Sequence, residues 1–429
     1  MSKYEQFIFD GYEFDPATKV LTLRYAMDDA LEFTEKYRFD FDFADYDPTV
    51  LDRAIQALFF LAGVSYYKTY VPPKIIIKKG QLDREMAAFF SKAYQRGLGE
   101  FWYVNKLDPN TPVNFPATVE SLDHLDSDKT GQGLLVSVGG GKDSLVSIEI
   151  LRDKKSVTTW SLNHRPQLTP LVERIALPHA WVERQWDPQI HNLNQQDAMN
   201  GHIPISGIFA CVGVIVAILT GKQDVVMSNE QSANEPTLHY EGAAINHQYS
   251  KSQEFEQDFQ GYLDHVLGGQ VRYYSFLRPL SEVRIGEIFA KIGFEKYKDV
   301  FSSCNRAFVH TSDRMSWCGE CSKCAFVYMA LAPFVPEENL RALWGGKNLL
   351  LDPLLEPTYR KLLGIEGDKP LDCVGDIKES RAAMRLAQEK YSELKEKYHF
   401  EIPGDYDFRA PAGHEMPQEM HEILAAAIA

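Results

Sequence analysis

No stretch of this sequence is apolar for long enough to cross a bilayer. The longest such run, Ile208 to Leu219 (IFACVGVIVAIL), falls well short of the roughly 20 residues a spanning helix needs and reads as a buried helix. The start, MSKYEQFIFDGYEF, carries no apolar core of a secretory signal. Cysteine is scarce, six residues with four of them close together late in the chain, which is no disulfide framework. Basic charge is in deficit: 45 Lys and Arg against 60 Asp and Glu leave a formal net charge of −15. That argues against a broad phosphate-contacting surface and hence against a nucleic-acid partner. Internal repeats and low-complexity tracts are missing too. The expectation is a cytoplasmic protein with a small-molecule substrate and neither a membrane nor a nucleic-acid partner. The sequence carries no sign of oligomeric state.

What is present is an ordinary globular composition, 45% hydrophobic and 24% charged, over a length that holds two or three cores. Residues 1 to about 45 alternate short strand-like runs with turns, as in FIFDGYEFDPATKVLTLRY. LDRAIQALFFLAG (51–63) and LDREMAAFFSKAYQRGLG (82–99) have helical apolar spacing, each closing on glycine. Residues 106–133 are rich in Pro, Asn, Asp and Gly and read as a linker. Beyond it, LLVSV (134–138), VTTWSL (157–162), DVVMS (224–228) and VRYYSFL (271–277) read as short buried strands separated by helical stretches. That alternation predicts an α/β fold with an open, mainly parallel sheet. The expected division is a smaller α+β domain over 1–125 and a catalytic domain over 126–429, with a charged amphipathic helix at 379–400 near its end.

The first of the four strand-like runs leads into Gly139-Gly140-Gly141-Lys142-Asp143-Ser144. Three glycines between a buried strand and a helix start let backbone N–H groups converge on an anion, and the helix adds the positive end of its dipole. Two familiar patterns fail. The P-loop needs Gly at 136 and Ser or Thr after the lysine, where Val136 and Asp143 stand. The dinucleotide fingerprint needs Gly at 144, where Ser144 stands. The segment resembles the PP-loop of the ATP pyrophosphatase superfamily (adenine nucleotide alpha hydrolase-like), Ser-Gly-Gly-x-Asp-Ser after a strand, with Gly139 replacing the usual serine and its hydroxyl. The resemblance implies a sheet of that type and ATP cleavage between the α and β phosphates. Gly139, Gly140, Gly141 and Ser144 would then cradle pyrophosphate, Lys142 would offset its charge, and Asp143 would help place Mg²⁺.

Cys304, Cys318, Cys321 and Cys324 have the spacing of a tetrahedral thiolate site. Structural Zn²⁺ is the reading preferred over an iron–sulfur cluster, which would want a cysteine at 328 where Tyr328 sits. Cys211 and Cys373 stand alone and are expected to pack in the core. The run SNEQSANEPTLHYEGAAINHQYSKSQEFE (228–256) is dense in amides and hydroxyls and follows a strand. Asn229, Asn234, Asn246, Gln248 and Ser250 are candidates for recognising a polar ligand at a sheet crevice. NGHIPISG (200–207) is a candidate cover for the nucleotide, and Arg165 and Arg184 are candidate carboxylate or phosphate clamps.

Together, AGVSYYK (62–68), GLGEFWYVN (97–105), SVGGGKDS (137–144), SNEQSAN (228–234), NHQYSKS (246–252), SCNRAF (303–308), CGECSKCAFVYMALAPF (318–334) and KPLDCVGD (369–376) resemble the MurL family of UDP-N-acetyl-muramoyl-L-alanyl-L-glutamate epimerases. That resemblance implies inversion of the terminal L-glutamate of a peptidoglycan precursor, with ATP and Mg²⁺ consumed to AMP and pyrophosphate. Adenylation of the α-carboxylate would remove the charge that otherwise opposes loss of the neighbouring proton. Glu230, His247 and Lys251 are the candidate acid–base groups, His247 needing the smallest pKa shift to work near neutrality. By elimination, the first domain would recognise the UDP-muramoyl part or mediate assembly. Two rivals stand beside this reading: a PP-loop enzyme acting on a base (a deazaguanine or a tRNA), and a nucleotide-binding sensor without turnover.

Overall fold

The computed structural model describes residues 2–123, 125, 131–308 and 313–429. Strands β1 (Gln6–Asp15), β2 (Val20–Met27), β3 (Leu31–Asp40) and β4 (Lys74–Ile77) precede the glycine loop. After them come β5 (Leu134–Ser137), β6 (Val157–Leu162), β7 (His179–Gln185), β8 (Asp224–Met227), a hairpin of β9 (Leu238–Tyr240) and β10 (Ala243–Ile245), and β11 (Arg272–Ser275). All but the hairpin lie in one nine-stranded sheet of order β11-β8-β5-β6-β7-β3-β2-β1-β4. Five of its eight ladders are parallel, and the three antiparallel ones are β7–β3, β3–β2 and β2–β1. The fold is therefore mixed α/β with a large, mostly parallel sheet.

The four strand-like runs after the linker all form strands, and the two early helical patterns become helices Pro48–Ala62 and Arg84–Gly97. Asp47 and Asp83 cap those helices, each side chain accepting two first-turn N–H groups. The apolar run is helix Ile205–Thr220, buried almost throughout and closed by Gly221 in the left-handed region. No described helix is long and apolar enough to cross a membrane. The expected helix at 379–400 is instead two: Ile377–Lys390, started by a capping box of Asp376 and Glu379, and Glu393–Lys397. The break falls at Tyr391, whose extended backbone turns a buried ring into the core. Gln388 bridges the break by donating to the carbonyls of Leu394 and Tyr398.

The boundary expected at 125/126 does not coincide with a gap in the sheet. β3 pairs with β7 from Lys36↔Gln185 to Asp40↔Trp181, and one hydrophobic cluster runs from Phe7 and Phe9 through Phe59 and Tyr66 to Val212 and Tyr273. The N-terminal part of that cluster is aromatic: Tyr25 stacks on Phe59 at 5.3 Å, Phe9 meets Phe59 and Phe60 edge-on, and the Tyr25 hydroxyl donates to the Phe59 carbonyl at 2.9 Å. Positions 124 and 126–130 of the expected linker lie outside the described residues.

Candidate active site

β5 leads through helix Lys142–Leu151 to β6 on one side of it, and the chain later returns to place β8 on the other side. The crevice at the carboxyl ends of β5 and β8 is thus a topological switch point, where an open parallel sheet leaves room for a ligand. A cavity of about 570 Å³ opens there. One wall is apolar, with Trp160, Leu162, Leu168, Phe209 and Phe308. The other is polar, with Asp143, Ser144, Ser228, Asn229, His247, Lys251, Lys323, Asp372 and Cys373.

Gly139 and Gly141 line the cavity between β5 and the helix. Gly140 has φ +94°, and a Cβ there would lie 2.6 Å from Met315 Sδ and 3.0 Å from the Ser302 carbonyl, so glycine is required. A Cβ on Gly139 would meet nothing within 4 Å, so a serine would fit there. Gly141 stands at the cap position and makes no side-chain bond to the first turn, so the cap residue leaves the helix start open to an anion.

The Lys142 side chain is a correction to the expectation. It turns inward, 2% exposed, and pairs with Glu282 and with Asp143 at 2.5 Å instead of lining the cavity. Burial works against its charge, but the two carboxylates hold its pKa above the ordinary lysine value. Glu282 is kept ionised in turn: burial opposes this, and Lys142 and Lys323 overcome it. Glu230 is buried behind the cavity wall, its carboxyl pushed up by burial and by Glu282 against the pull of Lys251.

Of the polar run, Asn229, His247 and Lys251 reach the cavity and the other candidates do not. Asn234 accepts the Gln253 N–H at 2.7 Å. Asn246 donates to the Ala233 carbonyl and accepts from the Gln248 N–H, so these amides shape the loop. Gln248 and Ser250 are buried within it. The candidate clamps are also corrected. Arg165 is exposed, pairs with Asp40 and lies over Trp181. Arg184 is buried at the β3–β7 seam, donating to Glu35 at 2.8 Å and to Ser65 at 2.9 Å. Within 200–207, Ser206 lines the cavity and His202 lies 4.3 Å from the His247 ring.

Cys373 departs most from expectation. It lies on the cavity wall, 3.1 Å from Lys251 Nζ and 3.9 Å from His247 Nε2. Glu100 engages His247 through Nδ1. Burial would lower the His247 pKa, but Cys373 and Glu100 raise it to about 9. Lys251 is likewise held above its ordinary value by Cys373 and Glu230 against the effect of burial. Lys323, Asp372, Glu100 and Glu282 also escaped the sequence reading. The KPLDCVGD resemblance was the one signal pointing toward Cys373.

The four clustered cysteines converge as expected. Their sulfurs all lie within 4.8 Å of one another, with Cys304–Cys321 and Cys318–Cys324 each at 3.8 Å. A tetrahedron with Zn–S bonds of about 2.3 Å has edges of about 3.8 Å, so the donor set fits zinc. Backbone N–H groups of Arg306, Gly319 and Glu320 point at these sulfurs from 3.3–3.4 Å. The same loop packs on the glycine turn: Ser302 N–H donates to the Gly140 carbonyl at 3.0 Å.

Residues 1–276 match the MurL N-terminal domain and residues 300–399 match the MurL C-terminal domain. The chain belongs to the MurL family. Three relatives are each named UDP-N-acetyl-alpha-D-muramoyl-L-alanyl-L-glutamate epimerase. That of Xanthomonas oryzae pv. oryzae is 40% identical over 87% of this chain and 83% of its own length. That of Salinispora tropica is 38% identical over 91% and 86%, and that of a Micromonospora strain is 36% identical over 91% and 88%.

Proposed function

We propose that this MurL-family chain epimerises the terminal L-glutamate of UDP-MurNAc-L-Ala-L-Glu to the D-form, consuming ATP to AMP and pyrophosphate. The observation that carries the reading is the uncapped glycine turn at the switch-point crevice, in a chain whose relatives bear the epimerase name. The apolar wall around Trp160 and Phe209 suits the adenine ring, and the helix N-terminus suits the departing pyrophosphate. Asp143 and Ser144 stand where a Mg²⁺-bound phosphate would meet side-chain oxygens; Mg²⁺ would supply charge neutralisation on the phosphates. Cys304, Cys318, Cys321 and Cys324 would hold a structural Zn²⁺ that fixes the loop packed on Gly140.

The chemistry follows from charge. Beside a free carboxylate, the glutamate Cα–H cannot ionise, because the carbanion would adjoin a full negative charge. Transfer of the α-phosphorus to a carboxyl oxygen removes that charge and makes the carbonyl an electron sink. A side chain on the polar wall then takes the proton, and reprotonation from the opposite face inverts the centre. Hydrolysis of the acyl phosphate returns the carboxylate and releases AMP. On this reading the N-terminal strands serve the bulky UDP-muramoyl part or assembly.

The test is incubation with ATP, Mg²⁺ and UDP-MurNAc-L-Ala-L-Glu, followed by nucleotide analysis and chiral analysis of the released glutamate. AMP and pyrophosphate that depend on this substrate, with D-glutamate in the product, are expected. ADP and orthophosphate during productive turnover would overturn the adenylation step. AMP formed only with a carboxy-deazaguanine would transfer the chain to base chemistry, and no AMP with any substrate tested would transfer it to nucleotide sensing.

A further inference from the structure

An inverting proton transfer at carbon needs a base that is unprotonated at neutral pH and reaches the cavity. Most ionisable groups around the crevice fail one of these requirements. Lys142 is locked to Glu282 and Asp143. Glu230 is buried behind the wall and disfavoured as an anion. Lys251 and His247 reach the cavity, but their neighbours favour the protonated forms, which cannot accept a proton.

Two carboxylates also line the cavity: Asp143 is paired with Lys142, and Asp372 accepts from Asn305 and Ser322. Cys373 lines it too, and its surroundings are those of a thiolate. Lys251 Nζ donates to Sγ at 3.1 Å, and His247 Nε2 faces it at 3.9 Å from a ring anchored at Nδ1 by Glu100. Burial alone would push a thiol up; here Lys251, His247 and Lys323 more than offset it and bring the pKa down to about 6. A buried structural cysteine has the opposite environment, as Cys211 does in its apolar helix, where burial raises it. The two cations flanking Cys373 come from a segment more than 120 residues away in the chain, so their convergence is tertiary.

We propose that the Cys373 thiolate is the base that removes the α-proton from the activated glutamyl residue, with Lys251 and His247 as the cations that keep it ionised. This rests on the reading that the substrate's carboxylate is first activated. In the step, the Cα–H bond breaks and an S–H bond forms, and the C–H electron pair moves into the acyl carbonyl as an enolate. A proton drawn from solvent reaches the opposite face of the planar carbon, and solvent takes the proton from the thiol, so no net charge or redox change accumulates. This mechanism replaces Glu230, His247 and Lys251 as candidate bases: two become supporting cations and the carboxyl stands aside.

The experiment compares full-length wild type with Cys373→Ser and Cys373→Ala in D₂O, measuring AMP release, deuterium at the glutamate Cα and its configuration. The expected result is a fall of about 100-fold or more in inverted, deuterated product per AMP formed, the range for losing a general base. Wild-type inversion in either variant would overturn the proposal, and so would parallel loss of AMP and inversion in a variant that still binds ATP. Absence of AMP from wild type that nonetheless inverts glutamate would fault the activation reading and not the thiolate. A measurement on wild type stands apart from variant folding: iodoacetamide at pH 7, with the modified cysteines mapped by mass spectrometry. Cys373 is expected to react faster than Cys211 and to be shielded by ATP with substrate; an unreactive or unshielded Cys373 would sink the assignment.

Discussion

Arg184 and Lys142 are both buried cations paired with buried glutamates, Arg184 and Glu35 on neighbouring strands and Lys142 and Glu282 at the starts of two helices, and their surroundings differ. Arg184 sits at the β3–β7 seam with one carboxylate, Glu35, and the neutral hydroxyls of Tyr37 and Ser65; Tyr37 donates to Glu35 at 2.5 Å. The charges balance locally and none of these groups lines the crevice. Lys142 sits under the glycine turn in a larger group. Glu282 joins it to Lys323, and Lys323 and Lys251 continue to the cavity wall, where Cys373 faces them. Carboxyls there are driven apart, Glu282 kept ionised while Glu230 and Glu379 are raised. Closed pairing at the seam joins the N-terminal strands to the parallel strands. Spread pKa values beside a cavity recur at reacting sites and in structural ion-pair networks alike.

That contrast predicts different failures. The largest effect is expected at the seam: Glu35→Ala leaves the Arg184 charge buried alone and should cost about 3–5 kcal/mol of stability by urea unfolding. AMP release per folded molecule should be unchanged; a turnover defect with intact stability would erase the distinction. At the crevice, Asp143→Asn should do the reverse, lowering AMP release by about 10²–10³-fold, as when one preorganised electrostatic partner is lost, with little change in unfolding.

A pH-dependent test sharpens the crevice side. His247 is held at about 9 in the fold, above its ordinary 6.5. Its charge therefore stabilises the fold fully below about 6.5, and that contribution is lost as pH rises through about 9. Glu100→Gln should lower stability most near pH 6, the deficit shrinking by pH 10; a deficit that grows with pH would contradict the pairing. The smallest effect is expected from Arg165→Ala, whose exposed pair with Asp40 should be worth less than about 1 kcal/mol and whose loss should leave AMP release unaltered.

Much of the fold was legible because its signals are local. Strands β5 and β8 come from the short apolar runs 134–138 and 224–228, the helix at 205–220 from a long one, and the glycine turn needs only adjacent residues. The helix expected over 379–400 failed because its charged, helix-favouring composition says nothing about the buried ring of Tyr391, which breaks it. The clamps failed for a related reason. An arginine after a strand has the same local appearance whether its partner is a ligand phosphate or, as for Arg184, a glutamate 149 residues earlier. β7 completes that contact only because the N-terminal strands add to the parallel sheet, a pairing between distant segments with no periodic trace.

The amino-acid sequence by itself determined the glycine turn between strand and helix and the four-cysteine cluster, since glycine conformational freedom and cysteine spacing are properties of neighbouring residues. Tertiary structure alone decided that Lys142 points inward to Glu282, that Arg184 serves the seam, and that Cys373 meets Lys251 and His247. Those outcomes depend on which charges the packed chain brings within a few ångströms under low solvent screening, and Coulomb pairing at that range is blind to separation along the chain.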